Sequence, residues 1–392
     1  MRTQVGIIGA GPAGLMLAHL LHLRGIETVI LESRQREAIE STIRAGILEQ
    51  STVDLMVETG VGERLKREGV PHHGTILRFG GRNHRIDFQG LTGGRVTTLY
   101  PQHEVLKDLI AARLQVGGEI RFGTKVTAVS GLDSKQPVIH FIGADAADSR
   151  LHCDFILGCD GAYGVGRAAM PDGLRQDYQR IYPFGWFGIL CKAPPSSEEL
   201  VYARHDRGFA LISNRTPDVQ RMYFQCDPND KIENWSDDRI WSELQARVQG
   251  GDGFRLIEGE IFQRNIVPMR SYVCEPMQHG RLFLAGDAAH TVPPTGAKGL
   301  NLAISDVFLL DRALGHHYAT GATDLLDGYS AAALRRVWRA QHFSWWMTSM
   351  LHRADGASAF DDRRQLAELD LVTGTVAAAT SLAQNYVGLP FG

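Results

Sequence analysis

The sequence predicts a mixed α/β (α+β) fold in which a Rossmann-like lobe is interrupted by an antiparallel-sheet lobe and followed by C-terminal helices. Three observations lead there. A glycine fingerprint, Gly9-Ala10-Gly11-Pro12-Ala13-Gly14, follows a short apolar run and opens a helical pattern, the order that a βαβ unit requires. Two more short apolar runs, far along the chain, lead into Gly158-Cys159-Asp160-Gly161 and Gly286-Asp287. Between them, Tyr182 to Gln225 alternates and is rich in aromatics, which is strand periodicity.

Taken in order, Gln4 to Ile8 is expected as a buried strand, Pro12 to Leu23 as a helix and Thr28 to Glu32 as a second strand. Phe155 to Leu157 and Leu282 to Ala285 are expected to join the same sheet. A turn at Thr216-Pro217-Asp218 makes a hairpin of the aromatic region, because proline presets the turn and aspartate accepts its hydrogen bonds. From Asn301 onward a helical pattern runs through Leu334 to Met350 and on to Gly388-Leu389-Pro390, which ends it. This part is expected to pack across both lobes or at a dimer contact. The mild apolar run near Val376 to Leu382 reads as a packed helix.

Composition bounds the function. At 392 residues the chain suits two or three lobes, since domains hold roughly 100 to 200 residues. Hydrophobic residues make up 44% and charged residues 22%, with a net charge of -3, so a packed core is available and no general basic field exists to hold a nucleic acid or an anionic membrane. Cys153, Cys159, Cys191, Cys226 and Cys274 show neither a disulfide framework nor a metal-ligand spacing, and no metal is expected. Nor is there an apolar run of the ~18 residues a membrane helix needs, or an apolar signal segment ahead of Gly9. These features favour a cytoplasmic protein.

The fingerprint glycines let backbone approach a pyrophosphate whose charge faces a helix N-terminus. Glu32 lies 18 residues after Gly14, where an acidic side chain accepts both hydroxyls of an adenosine ribose. Without a ligand the same residues would be a tight turn and a solvated strand end. In Leu282-Phe283-Leu284-Ala285-Gly286-Asp287-Ala288-Ala289-His290, a strand feeding Gly-Asp presents one carboxylate suited to a hydroxylated chain such as the ribityl of FAD. Thr295-Gly296-Ala297-Lys298-Gly299-Leu300-Asn301 then begins a helix, whose positive end would stabilise an anionic reduced isoalloxazine. Asp160, with Arg167, supplies a third element that is weak alone.

Together with Ile43-Arg44-Ala45-Gly46, Tyr182-Pro183-Phe184-Gly185-Trp186, Glu275 to Asn301, Phe343-Ser344-Trp345-Trp346-Met347 and Asn385-Tyr386-Val387-Gly388-Leu389-Pro390, these motifs make the chain resemble the para-hydroxybenzoate hydroxylase family of FAD-dependent aromatic hydroxylases. The resemblance implies a discontinuous FAD-binding lobe of residues 1–73, 98–180 and 268–348. It also implies a substrate-binding sheet lobe of residues 74–97 and 181–267 and a C-terminal helical or interface segment of residues 349–392, usually in a homodimer. The implied activity is hydroxylation of 4-hydroxybenzoate beside its phenol oxygen to give protocatechuate, using NADH or NADPH and dioxygen through a flavin C4a-hydroperoxide. FAD contacts carried over are Gly9, Gly11, Gly14, Glu32, Arg44, Gln102, Asp160, Arg221, Asp287, Lys298, Gly299, Leu300 and Asn301.

On the predicted hairpin, Ser213 and Arg215 lie two apart, as do Arg221 and Tyr223, so each pair points to one face. A guanidinium grips a carboxylate through two charge-assisted hydrogen bonds. From the residues alone a solvated outer face is the reading to prefer; the resemblance reverses it and assigns Ser213, Arg215 and Tyr223 to the carboxylate of the substrate. At the phenol end it assigns a proton relay to Tyr202, Tyr386 and His72, with the Pro294 carbonyl and Asn301 lining the site. His73 beside His72 leaves the exit residue open, and a satisfied core residue is the plain alternative for each. Arg44 and Arg221 match positions near the flavin pyrophosphate and ring.

The nicotinamide side departs from the family pattern. NADPH-specific relatives carry a basic residue, an aromatic and an arginine where this chain has Ser33, Ala38 and Thr42. Arg34 and Arg36 remain to meet a 2′-phosphate, Tyr163 stands in place of a histidine, and Arg167 and Arg270 match. NADH or dual use is expected, with Ser33, Arg34, Tyr163, Arg167 and Arg270 as contacts. The rivals are a hydroxylase of another benzoate, a non-catalytic binding protein of this fold and an NAD dehydrogenase.

Overall fold

The computed structural model describes residues 1–42, 46–143, 148–354 and 356–391; Ile43, Arg44 and Ala45 lie outside the described residues. The fingerprint strand Val5–Ile8 pairs in parallel with Thr28–Leu31 on one side and Phe155–Gly158 on the other. Leu282–Leu284 extends the sheet beyond Phe155–Gly158, and Glu119–Arg121 extends it beyond Thr28–Leu31. A short antiparallel strand, Gln278–His279, closes one edge. Every residue of the three central strands is buried, as a parallel sheet covered on both faces requires. The strands end at Leu31 and Leu284, one residue short of expectation, which leaves Glu32 and Ala285 at the carboxyl edge where ligands of such sheets bind. Helices Pro12–Leu23 and Gly299–Thr320 pack against each other beside the sheet.

A second sheet of eight strands holds the aromatic region. Two long strands, Gln176–Lys192 and Glu260–Glu275, pair antiparallel along most of their length. Gln176–Lys192 starts six residues before the expected Tyr182, because its first half pairs with 270–275 back toward the nucleotide lobe. The sheet continues through Val219–Cys226, Ala210–Thr216, Val201–Ala203, Gly74–Phe79 and Arg82–Asp87. Thr216 pairs with Val219 across the expected Pro217-Asp218 turn.

Both faces of this sheet are covered, so a solvated outer face is ruled out for the central hairpin. On one side Phe187, Ile189, Ile212, Met222 and Phe224 meet Ile240, Trp241 and Leu244 of helix Asp237–Val248. On the other, Trp186, Tyr202, Leu211 and Tyr223 share a core with Phe343, Met347, Leu351 and Tyr386. That second core takes helices Ala359–Gly374 and Val376–Val387 and the C-terminal half of Tyr329–Leu351, whose Tyr329, Ala333, Val337 and Ala340 pack instead into the core of the nucleotide lobe. Ser358 and Asp361 form a capping box at the start of Ala359–Gly374. Helix Val376–Val387 buries Ala379, Leu382, Ala383, Tyr386 and Val387, as its apolar run led us to expect. Among the described residues no single helix is long and apolar enough to cross a membrane, and all five cysteines are free thiols.

Candidate active site

The three fingerprint glycines serve three separate purposes. Gly9 has φ +101 and abuts the Cys159 carbonyl, so a side chain there would be strained and would collide. A Cβ on Gly14 would strike the Gly9 carbonyl, so this glycine lets helix and loop close together. Gly11 has no atom within 4 Å of where its Cβ would stand, leaving its backbone open to a ligand. Pro12 begins the helix, and no side chain caps it. Its first N–H groups and the helix dipole are therefore available to an anion.

This loop borders a cleft of about 600 Å³ lined also by Glu32, Ser33, Arg34, Gln102, Asp160, Tyr163, Asp287, Gly299 and Leu300. Glu32 is buried; its Oε2 accepts from the Ala10 N–H at 2.8 Å and its Oε1 from the Arg34 N–H at 2.9 Å. Oε2 keeps acceptor capacity for a hydroxyl, whereas Oε1 also takes the Ser33 hydroxyl at 3.4 Å and Arg34 Nε at 3.3 Å. Asp160 spends Oδ2 on the Gly166 N–H at 2.8 Å, while its buried Oδ1 has no protein partner and burial raises its carboxyl pKa. Asp287 is exposed on a turn whose first residue, Gly286, has φ +63. These residues fit FAD: open backbone at a helix start for the pyrophosphate, Glu32 for a ribose, and free carboxylate oxygens for a hydroxylated chain.

The device that aims Asp287 was missed from sequence. Asp306, on helix Gly299–Thr320, accepts from the Gly286 N–H at 2.9 Å and from His290 Nε2 at 2.7 Å through the same oxygen. Burial opposes protonation of His290, yet the Asp306 carboxylate outweighs it and the net shift is upward. The signal for the pair in the sequence is His290 at the end of the run Leu282 to His290. Arg167 serves the same turn: it donates to the Ala288 carbonyl at 2.7 Å and the Asp287 carbonyl at 2.5 Å, with its guanidinium 3.9 Å from the Tyr272 ring. The nicotinamide candidates thus fall into two groups. Ser33 and Arg34 flank Glu32, where Arg34 Nε lies 3.3 Å from its carboxylate. Tyr163, 89% exposed, accepts from Arg270 at 2.9 Å on the Asp160 side.

Two expected cofactor contacts point elsewhere. Lys298 is buried and donates to Glu49 Oε1 at 2.7 Å and to the Tyr386 carbonyl at 3.0 Å. Asn301 is buried and its amide is saturated: it accepts from the Glu49 N–H and Thr52 hydroxyl, and donates to the Ile47 and Ala297 carbonyls. Both anchor the Gly299–Thr320 helix to the segment around Glu49 and neither lines the cleft, whereas Gly299 and Leu300 do. Burial lowers the Lys298 pKa, with the Glu49 carboxylate opposing. Glu49 carried no recognisable motif.

On the sheet, Tyr202 stands opposite Leu211, Leu211 opposite Tyr223, and Ser213 opposite Arg221, so these side chains share one face. The Tyr202 and Tyr386 hydroxyls meet at 2.7 Å, both residues being buried. Burial pushes Tyr202 up to about 12 and Tyr386 well above the ordinary phenol range. The neighbouring loop is tight: the Pro294 carbonyl accepts from the Ala297 N–H at 3.0 Å, and Ala297 holds a left-handed φ of +54.

Arg215 departs from simple alternation because a bulge falls between Asn214 and Thr216. It nonetheless reaches the same environment. Burial brings its guanidinium down to about 10, Arg221 adds to the shift, and the Tyr223 phenol opposes it. Arg215 Nε and Arg221 Nη1 are both buried without a partner. Two neighbouring guanidiniums with unused donors make a site that an anion would satisfy. Arg221 does not line the cleft, and the Ser213 hydroxyl donates to its carbonyl at 2.9 Å. His72 is buried on strand Val70–His72 and His73 is exposed. Nε2 of His72 has no partner, and the Tyr386 hydroxyl bonds Tyr202. Burial lowers the His72 pKa, with Glu199 opposing.

A family profile described as FAD binding domain matches residues 2–344. The chain is 46% identical, across 100% of its length and 96% of the relative's, to a p-hydroxybenzoate hydroxylase of Acinetobacter baylyi. It is 30% identical, over 84% of this chain and 66% of that one, to a 12-dehydrotetracycline 5-monooxygenase/anhydrotetracycline 6-monooxygenase of Streptomyces rimosus. The fold matches the crystal structure of a p-nitrophenol 4-monooxygenase from Pseudomonas putida with a TM-score of 0.85, at 19% identity over 98% of both chains.

Proposed function

Because the chain belongs to the para-hydroxybenzoate hydroxylase family of FAD-dependent aromatic monooxygenases, we propose that it converts 4-hydroxybenzoate, dioxygen, NAD(P)H and a proton to protocatechuate, water and NAD(P)+. The observation that carries this reading is the buried Arg215 and Arg221 pair with unused donors, in the same sheet lobe as Tyr202, whose hydroxyl meets that of Tyr386 from the C-terminal segment. A para-hydroxy acid offers each group its complement.

In this reading Arg215 and the Tyr223 hydroxyl bind the carboxylate, and the Ser213 hydroxyl joins them by turning from the Arg221 carbonyl. Tyr202 meets the phenol oxygen and takes its proton, which makes the ring electron-rich. Tyr386 receives that proton, and His72 passes it outward. The raised phenol pKa values suit this task, since both tyrosines stay neutral and can donate and accept in series. The Pro294 carbonyl lines the same space. Asn301 acts by fixing the segment around Glu49. FAD, held by Gly11, Glu32, Asp160 and Asp287 in the cleft, would supply hydride acceptance from the nicotinamide and activation of dioxygen toward the ring. The aromatic shell around Tyr202 and Tyr386, including Phe88 stacked on Tyr386 at 4.8 Å, keeps water from competing.

We extend the proposal to the FAD lobe, sheet lobe and C-terminal segment at the boundaries given above, to a cytoplasmic homodimer, and to nicotinamide contacts at Ser33, Arg34, Tyr163, Arg167 and Arg270. NADH or dual use follows from Ser33, Ala38 and Thr42. The test is nicotinamide oxidation with 4-hydroxybenzoate, 4-aminobenzoate and 3-hydroxybenzoate, with NADH and NADPH in parallel, quantifying hydroxylated product and peroxide. Stoichiometric protocatechuate from 4-hydroxybenzoate alone is expected. Turnover that yields only peroxide from this acid would defeat the substrate assignment.

A further inference from the structure

We infer that Arg336, on helix Tyr329–Leu351, is a positioning residue for Tyr386, acting through the chain segment that follows the Tyr386 helix. The inference rests on the tyrosine relay proposed above. Helix Val376–Val387 stops one residue beyond Tyr386, and Gly388 then turns with φ +81 directly over the Glu49 carboxylate, where any side chain would collide. Nothing helical fixes the axial position of Tyr386 from that point on.

Arg336 supplies the missing restraint. Its Nη1 donates to the Leu389 carbonyl at 3.0 Å and the Pro390 carbonyl at 3.1 Å. Its Nη2 donates to Leu389 at 3.0 Å and to Glu49 Oε2 at 3.1 Å. The other oxygen of Glu49 accepts from Lys298, whose ammonium also holds the Tyr386 carbonyl at 3.0 Å. The bonds form a closed ring from the Tyr386 carbonyl through Lys298, Glu49 and Arg336 to the Leu389 carbonyl. Arg95 at the Gly388 carbonyl, 2.7 Å, and Ser51 at the Leu389 carbonyl, 3.0 Å, also fasten this segment.

The consequence is chemical as well as structural. Proton transfer between Tyr202 and Tyr386 depends on their 2.7 Å separation, and such transfer fails when heavy atoms drift beyond hydrogen-bond reach. A planar guanidinium can bridge two carbonyls and a carboxylate at once, whereas a lysine ammonium at this place would reach only some of them.

The experiment compares Arg336→Met, Arg336→Lys, Tyr386→Phe and the Arg336→Met/Tyr386→Phe double variant in the FAD-loaded enzyme. It measures hydroxylated product per nicotinamide oxidised across pH, together with FAD content and substrate dissociation constant. Arg336→Met should keep FAD content and substrate affinity within about twofold while product yield falls several-fold toward that of Tyr386→Phe. Arg336→Lys should recover part of the loss. The double variant should match Tyr386→Phe alone, because both changes act on one relay. Full coupling in Arg336→Met beside an uncoupled Tyr386→Phe would overturn the clamp alone, as would a double variant whose losses multiply. Full coupling in Tyr386→Phe would overturn the relay and this inference with it. Should Arg336→Met fail to fold, a chain ending at Gly388 keeps the Arg336–Glu49 bridge and removes the clamped carbonyls. It should lose coupling in the same way, and its retention of full coupling would refute the proposal.

Discussion

The cofactor cleft and the tyrosine pocket are built from different materials. Around the cleft the lining groups include backbone of Gly9 and Gly11 and the carboxylates of Glu32, Asp160 and Asp287, each delivered by a turn at a strand end. Around the pocket they are side chains, with Tyr202, Arg215, Tyr223 and Tyr386 arriving from three strands and a distant helix. A backbone-built site tolerates almost no added atom at its closest approaches, whereas a side-chain-built site tolerates truncation and loses one interaction at a time.

The sharpest way to break that contrast is Gly14→Ala. The new Cβ meets the Gly9 carbonyl, which cannot yield without opening the loop. FAD affinity should fall by about 100-fold or more, read from flavin absorbance per protein after reconstitution. A yellow, fully loaded variant would show that the loop is not held by backbone closure. Arg215→Ala probes the other material. Loss of a charge-assisted pair should raise the 4-hydroxybenzoate dissociation constant by roughly 10- to 100-fold with FAD content unchanged, and an unaltered constant would remove Arg215 from the pocket.

The smallest effect concerns the pocket's outer wall. The Trp186 indole N–H donates to His352 Nε2 at 2.6 Å, and His352 Nδ1 bonds the Thr348 carbonyl at 3.0 Å. This arrangement requires the neutral ring. Burial holds the His352 pKa down to about 3, against 6.5 ordinarily. The unfolded chain therefore binds a proton that the native state refuses as pH falls below about 6.5, and stability should decline by about 1.4 kcal/mol per pH unit until the native pKa is approached. His352→Phe should lack this increment when denaturant midpoints are compared between pH 7 and 5. Parallel pH slopes in parent and variant would exclude His352 as the titrating group.

Legibility followed the same division. The βαβ unit, the strands at Phe155 and Leu282, the hairpin turn and the C-terminal helices were all readable, since each is fixed by periodicity and by glycine and proline chemistry within a few residues. The glycine fingerprint was readable as a dinucleotide loop for that reason. Glu49, Asp306, Arg336 and His352 were not, because each does its work through partners far away in the chain: Lys298 for Glu49, Leu389 for Arg336 and Trp186 for His352. Asp306 reaches back 20 residues to Gly286.

By itself, then, the sequence determined the order of elements and the local turns that present backbone and carboxylates to a dinucleotide. The tertiary structure alone decided that Lys298 and Asn301 turn away from the cleft. It also decided that a bulge displaces Arg215 from simple alternation and that His72 rather than His73 is buried. Backbone conformation is chosen by neighbours a few residues apart, whereas the direction of a buried charge is chosen by whichever distant partner can compensate its lost hydration.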